Sequence, residues 1–261
     1  MEKIQRRQSE WHEQWTLLQD SELFLFQDWI SPLALEELAG KSVLEAGCGG
    51  GQHTAFMAAR GARVTAVDLN TIGIARERTK EFPNVRFVEA DAAAMDLGEK
   101  FDAVVCVGVI HHTDDPDKTV RNLIRHAKPG GRVAFWVYSK EGNWLMENLV
   151  EPFRRAFLSR MPRPALLRLS QAVTACLYPP VYTVYLLPLS FLPYYEYFAN
   201  FRRLSFTRNV LNVFDKLNAP QVQFISRERA LSWRAYAPFA SYEVTPYEGV
   251  SWRVGGVLPR P

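Results

Sequence analysis

The sequence predicts an α/β fold: a doubly wound, mostly parallel sheet with an antiparallel strand pair at its C-terminal end and a helical insertion. Three observations predict it. Short apolar, strand-like runs alternate with helix-like segments over residues 41–138. Two more strand-like runs surround a turn within residues 242–254. Between these regions, residues 139–222 are rich in aromatic residues and prolines and break the alternation.

The first strand-like run ends in Glu45 and is followed by glycines at positions 47, 49 and 51. Glycines let the backbone turn sharply and approach a ligand where a Cβ would collide. The next residues, 52–60, have the pattern of a helix. This arrangement predicts a site for a nucleotide-like cofactor. A dinucleotide-binding Gly-x-Gly-x-x-Gly pattern would require glycine at position 52, where the chain has Gln52.

The next two strand-like runs also lead to acidic residues. Residues 62–68 end in Asp68, whose carboxylate can accept hydrogen bonds from a ribose diol and so indicates adenosine. Residues 85–90 precede Asp91. Residues 101–110 are typical of a fully buried fourth strand, and a Lys-Pro-Gly-Gly turn from position 128 opens the fifth, which ends near 138.

In this order the motifs resemble those of class I S-adenosylmethionine-dependent methyltransferases with a Rossmann-like core, most closely the small-molecule, methyltransferase type 11-like group. The resemblance implies S-adenosyl-L-methionine as the cofactor and no metal. In this family the acid at position 45 orients the methionine amino group through the network of the turn, and the acid at 91 meets the exocyclic amine of adenine. The implied cofactor-binding residues are Glu45, Gly47, Cys48, Gly49, Asp68, Leu69, Asp91, Ala92 and Val107.

Methyl transfer needs a protein that aligns the nucleophile with the methyl carbon and excludes water. A base is required only where the nucleophile carries a proton. His111 and His112 follow the fourth strand, and a neutral imidazole there could accept a proton near physiological pH. We place His111 before His112 as the catalytic base and expect a structural role for at least one, because paired histidines occur here in the resembling family whatever its substrate.

Five further residues are candidates for contact with the substrate: Trp11, Trp15, Trp136, Tyr138 and Gln223. The first two lie four residues apart and would share one helical face, where we expect packing in the core, with lining of the substrate pocket as the alternative. Trp136 and Tyr138 leave the fifth strand and could form pocket walls. Gln223 would supply a polar contact.

The insertion contains no charged residue from position 169 to 195, a length that could span a bilayer. Pro179, Pro180, Pro188 and Pro193 interrupt the run, so we predict no transmembrane span. We favour a helical subdomain that packs on the core or on a second subunit, as in a homodimer. A lid over an apolar or aromatic substrate is compatible with this. A third interpretation is peripheral contact of the flanking arginines with anionic lipid headgroups.

Four segments follow from these patterns. We predict an N-terminal helical cap over residues 1–40, a cofactor-binding core over 41–138, the helical insertion over 139–222, and a last helix with the closing strand pair over 223–261. Ser226 has the position of an N-cap for that last helix.

Composition narrows the class of protein. A net charge of +3 gives no support for a nucleic-acid partner. Three cysteines without metal-ligand spacing fit a reducing compartment, and the N-terminal residues lack the apolar core of a signal peptide, so a cytoplasmic location is predicted.

The sequence therefore predicts a methyltransferase that uses S-adenosylmethionine to methylate oxygen, nitrogen or carbon of a small, partly apolar molecule. One alternative is a regulatory protein that binds this cofactor without transferring methyl. The other is an NAD-dependent oxidoreductase, which Gln52 and the terminal strand pair oppose.

Overall fold

The computed structural model describes residues 22–261, which form one seven-stranded sheet. Its strands are β1 (Ser42–Ala46), β2 (Arg63–Asp68), β3 (Val85–Glu89), β4 (Phe101–Val107), β5 (Ala127–Tyr138), β6 (Ser241–Tyr247) and β7 (Ser251–Val257). They lie in the order β3-β2-β1-β4-β5-β7-β6. The first five pair in parallel, β7 is antiparallel to β5, and β6 is antiparallel to β7. The predicted sheet is confirmed.

The α-helices of the described residues include one at the helix-like segment predicted over residues 52–60. They are α1 (Leu23–Ile30), α2 (Gln52–Ala59), α3 (Ile72–Arg78), α4 (Pro116–Arg125), α5 (Glu151–Ala156), α6 (Arg163–Val181), α7 (Tyr195–Phe201), α8 (Phe206–Asn218) and α9 (Arg227–Ser232). The hydroxyl of Ser226 accepts a hydrogen bond from the Arg229 backbone N–H at 3.2 Å, which confirms the predicted N-cap of α9.

Both faces of the parallel sheet are buried, as a doubly wound fold requires. Successive side chains of a strand point to opposite faces. Val43 accordingly packs in a cluster with Phe26 and Met57, whereas Leu44 packs on the other face with Phe135. The near-continuous apolar character of β1 and β4 follows from this two-sided burial.

The fourth strand is shorter than predicted. It ends at Val107 instead of position 110, because Gly108 takes a φ of +76° and turns the chain out of the sheet. A single 3₁₀ turn, Ile110–His112, follows. The histidine pair therefore lies on a turn above the edge of the sheet.

The insertion is helical, as predicted, and contains α5 to α8. Its helices bury their own small apolar clusters, one formed by Leu158, Leu166, Leu211 and Phe214 and another by Val181, Phe198 and Phe201. Leu149, Phe153 and Phe157 stay exposed. Among residues 22–261, no helix has both the length and the apolar character needed to cross a membrane.

Candidate cofactor and acceptor site

One cavity of about 920 Å³ opens where the parallel strands end. Ligands of open α/β sheets bind at this carboxyl edge, next to the point where the strand order reverses between β1 and β4. Residues of the core line one end of the cavity, and residues of α7 and α8 line the other. The insertion thus completes a site that the sheet begins.

The turn after β1 needs glycine for two physical reasons. Gly47, Gly49 and Gly51 have φ values of +78°, +51° and +79°, which side chains rarely tolerate. A Cβ on Gly47 would also lie 2.2 Å from Cγ2 of Val109. The backbone N–H groups of Gly47 and Cys48 both donate to the Val67 carbonyl, at 2.7 and 3.0 Å, which ties the turn to the end of β2. Gly47, Cys48 and Gly49 all line the cavity.

Asp68 at the end of β2 connects the glycine turn with the next loop. Its Oδ2 accepts from the Gly49 N–H at 3.0 Å, and its Oδ1 accepts from Leu69 N at 2.8 Å and Asn70 N at 3.3 Å. A carboxylate oxygen has two lone pairs, so Oδ2 can accept a further hydrogen bond from a ligand in the cavity that Asp68 lines. The Leu69 side chain is 42% exposed beside it and offers an apolar surface.

The predicted adenine end also borders the cavity. Asp91, Ala92 and Val107 line it, and Asp91 keeps an exposed carboxylate whose Oδ1 accepts from Ala93 N at 2.8 Å. This hydrogen bond holds the loop after β3 and leaves Oδ2 available to a donor such as an amine.

Glu45 differs from the other predicted cofactor residues because it does not line the cavity. It is 2% exposed and lies beneath the turn, where its Oε2 accepts from the Thr54 hydroxyl at 2.5 Å. Burial raises the pKa of Glu45 to about 7, although the Thr54 hydrogen bond opposes the rise. His53 Nδ1 lies 3.9 Å from Glu45 Oε1, and burial lowers the pKa of His53 to about 3. Glu45 can therefore act on a ligand only through the turn and α2.

Two buried polar groups near the turn have no hydrogen-bond partner within residues 22–261. They are Nε2 of Gln52 and the hydroxyl of Thr71, and both residues line the cavity. A buried donor without an acceptor is costly, so these groups indicate a polar ligand. With the acceptors of Asp68 and Asp91, this donor set fits the carboxylate, hydroxyl and amine groups of an adenosyl amino acid. Neither residue was predicted, since no spacing rule marks an isolated Gln or Thr.

The two histidines have different tautomers. The Tyr138 N–H donates to Nδ1 of His111 at 3.4 Å, which places the His111 proton on Nε2. Nδ1 of His112 lies 2.7 Å from the Gln221 carbonyl and must donate to it, so Nε2 of His112 carries a lone pair. Burial lowers the pKa of both imidazoles, and both are neutral at physiological pH. These tautomers put the Nε2 proton on His111 and the Nε2 lone pair on His112, which favours His112 over His111 as a base.

Aromatic side chains form the wall beyond the histidines. The Trp136 ring lies 5.0 Å from that of Trp29 and 5.2 Å from that of Tyr138, whose ring is 4.3 Å from His111. Trp136 and Tyr138, at the end of β5, both line the cavity. The indole N–H of Trp136 is buried without a partner in the described part of the chain. Trp11 and Trp15 lie outside the described residues.

The structure does not place Gln223, the predicted polar contact, at the cavity. Its side-chain amide donates to the carbonyls of Thr113 and Asp114, at 2.9 and 3.2 Å, and it does not line the cavity. Gln221 does line it, and donates to the His112 carbonyl at 2.7 Å. The loop before α9 thus braces the histidine turn, and its conformation decides which glutamine reaches the cavity.

Comparisons with known proteins agree with this geometry. Residues 44–135 match the family model described as a methyltransferase domain. Over 113 residues the chain is 38% identical to the ubiquinone biosynthesis O-methyltransferase of Pseudomonas putida, covering 41% of this chain and 48% of that protein. The protein of the same name from Pseudomonas fluorescens is 40% identical over 103 residues, 38% of this chain and 44% of the relative. The chain thus spans about half the length of these relatives.

A solved structure extends the likeness beyond the core. The structure of an O-methyltransferase family protein from Burkholderia thailandensis matches with a TM-score of 0.55 and 13% identity, covering 91% of this chain and 56% of that one. At this identity the likeness concerns the fold. The family match falls on the stretch that contains the glycine turn and the acids at 68 and 91, so residues 44–135 are similar in sequence to a methyltransferase domain.

Proposed function

We propose that the chain transfers the methyl group of S-adenosylmethionine to an oxygen of a small, aromatic, partly apolar molecule. One observation carries this proposal: the same cavity is lined by the glycine turn and Asp68 at one end and by His112 and Tyr138 at the other. Cofactor and acceptor could then meet without bulk water between them.

At the cofactor end, each residue has a role in binding. The backbone at Gly47 and Gly49 lets the amino-acid part approach the turn, Asp68 accepts from the ribose hydroxyls, and Asp91 accepts from the adenine amine. Leu69 covers the adenine face. When bound, the cofactor supplies an electrophilic methyl group on a sulfonium sulfur.

At the acceptor end, the aromatic wall orients the acceptor ring and His112 takes its proton. An unprotonated Nε2 can accept the proton of a hydroxyl group as the oxygen attacks. His111 presents an N–H instead, which can donate to the acceptor and hold it in place. The division of roles between the two histidines follows from their partners, the Tyr138 N–H and the Gln221 carbonyl.

Oxygen is favoured over nitrogen or carbon for two reasons. A hydroxyl group needs a proton acceptor of the kind that His112 offers. The matching Pseudomonas relatives are named O-methyltransferases of ubiquinone biosynthesis, which supports a hydroxylated aromatic ring as the acceptor class.

A panel of hydroxylated aromatic compounds tests the proposal. Purified protein is incubated with S-adenosylmethionine and each compound, S-adenosylhomocysteine is quantified, and the corresponding methyl ethers serve as unreactive controls. Turnover with at least one phenol, absent with its ether, is expected. Tight cofactor binding by calorimetry without turnover on any hydroxyl, amine or carbon acceptor would instead favour the regulatory alternative. Binding of NAD in preference to S-adenosylmethionine would contradict both.

We also propose the four-segment division of the chain, a homodimer through the insertion, a lid over the acceptor, peripheral lipid contact and a cytoplasmic location. Sedimentation of the purified chain alone and with anionic vesicles separates the dimer from the lipid contact.

A further inference from the structure

Lys216 places a positive charge at the acceptor end of a largely apolar cavity. It lies near the end of α8, is half-buried and lines the cavity. Its ammonium group donates to the Tyr197 hydroxyl at 3.1 Å and reaches the Asn212 carbonyl at 3.5 Å. The ammonium lies 4.8 Å from the centre of the Tyr197 ring and 5.6 Å from that of Tyr138.

This ammonium group makes no ion pair with an acid of the described residues. It has three N–H donors, so at least one has no acceptor there. The neighbouring Asp215 is engaged elsewhere, since its Oδ2 accepts from the Tyr138 hydroxyl at 3.1 Å. The charge of Asp215 acts on Lys216 without a hydrogen bond between them, and a half-buried N–H donor without an acceptor remains costly unless a ligand accepts from it.

Tyr197 adds a second donor at the same place. Its hydroxyl oxygen accepts from Lys216, and its own proton has no acceptor within residues 22–261. A hydroxyl that accepts from an ammonium group is a stronger donor, because the two hydrogen bonds polarise each other. Lys216 and Tyr197 therefore present two unused donors to the cavity that both line.

The remaining acid near this end does not neutralise the lysine directly. The carboxyl group of Glu248 accepts from the Asn200 amide, and burial raises the pKa of Glu248. Burial alone would lower the pKa of Lys216, but Tyr138, Tyr197 and Asp215 outweigh it and raise the pKa, so the ammonium stays charged.

We propose that Lys216 and Tyr197 form a site for an anionic oxygen of the acceptor, so that the chain selects aromatic acids or phenolates over neutral aromatic compounds. This inference rests on the proposed function for the position of the acceptor. Both Lys216 and His111 contact the Tyr138 ring: the Lys216 ammonium lies 5.6 Å from the ring centre, and the centre of the His111 ring lies 4.3 Å from it. An acceptor stacked near Tyr138 can therefore place its anionic group at Lys216 and its hydroxyl group at the histidines.

Binding of matched acid and amide pairs tests this site. Calorimetry with protein saturated with S-adenosylhomocysteine compares hydroxybenzoates with the corresponding hydroxybenzamides. Wild type should bind at least one acid roughly 10-fold to 100-fold more tightly than its amide, the range for hydrogen bonds to a charged group. Equal affinity for every pair, or no binding of any acid in the panel, would overturn the proposal.

Three variants assign the preference to the site. Lys216→Met should lose the preference, Lys216→Arg should keep most of it, and Tyr197→Phe should lose part of it while keeping the ring. Lys100→Met, an exposed lysine outside the cavity, is the matched control and should behave like wild type. A preference that survives in both Lys216→Met and Tyr197→Phe would contradict the assignment.

The proposed methyl transfer and the proposed anion site can each be contradicted without the other. Selective acid binding without formation of S-adenosylhomocysteine would contradict the methyl transfer and leave the anion site standing. Turnover of neutral phenols without any preference for acids would contradict the anion site and leave the methyl transfer standing. Affinity for S-adenosylhomocysteine, measured in each variant, identifies a variant that has lost its fold.

Discussion

Asp68→Asn tests whether the carboxylate at the end of β2 holds both the glycine turn and the cofactor. The wild-type carboxylate accepts three backbone N–H groups, from Gly49 at 3.0 Å, Leu69 at 2.8 Å and Asn70 at 3.3 Å. An asparagine has one acceptor oxygen. In either orientation its NH₂ group must therefore face a backbone donor, which costs about 1–3 kcal/mol of folding free energy.

The same change should weaken cofactor binding. The ribose would lose a hydrogen bond to a charged oxygen, worth about 1.5–3 kcal/mol, so the dissociation constant for S-adenosylmethionine should rise roughly 10-fold to 150-fold. Isothermal calorimetry measures it. Asp96→Asn is the matched control, because Asp96 also caps a turn, through Gly98 N at 3.0 Å, but does not line the cavity. A change of less than twofold in Asp68→Asn, equal to that of the control, would refute the assignment of Asp68 to the ribose.

His112→Ala should lower kcat by roughly 100-fold to 10,000-fold at unchanged cofactor affinity, and His111→Gln, which keeps a hydrogen-bond donor, should have a milder effect. Because burial lowers the pKa of His112 below 6.5, the kcat of the wild type should stay level from pH 8 to 6.5 and fall only below pH 6.5. A fall in kcat already between pH 7.5 and 6.5 would contradict this role of His112. Burial raises the pKa of Glu45 from 4.5 to about 7, so the native state holds a proton that the unfolded state has lost between these pH values. In urea unfolding, the stability of the wild type relative to Glu45→Gln should be greatest below pH 4.5 and should fall by about 3 kcal/mol as the pH rises through 7. A stability difference that does not change with pH would exclude the raised pKa. Gly47→Ala should lower the free energy of unfolding by about 2–5 kcal/mol, because the residue has a φ of +78° and its new Cβ would contact Val109. Adding Val109→Ala should restore only the share of this loss that comes from the contact with Val109. An unchanged unfolding midpoint in Gly47→Ala would contradict the strain assigned to this turn.

The parts of the fold that depend on short stretches of chain could be predicted from the sequence. The glycine turn and Asp68 lie at the ends of adjacent parallel strands, and this juxtaposition follows once the strands are recognised. The end of β4 was placed three residues late, although Gly108 carried the signal for an earlier turn.

The acceptor end could not be predicted in the same way. The tautomers of His111 and His112 depend on the Tyr138 N–H and the Gln221 carbonyl, which are distant in sequence. The exchange of Gln223 for Gln221 likewise depends on how one loop lies against the histidine turn. Nothing in the sequence distinguishes Lys216 from the other charged residues, and only the position of α8 shows that it lines the cavity.

The two ends of the cavity come from separate stretches of the chain, and this separation has an evolutionary consequence. Under the proposed function, substitutions in α7 and α8 would alter which molecule receives the methyl group, while the β1 turn and the ends of β2 and β3, proposed to hold the donor, stay untouched. Proteins that share residues 44–135 can then diverge in what they methylate. Ancestry traced through that stretch therefore says more about the methyl donor than about the molecule that accepts it.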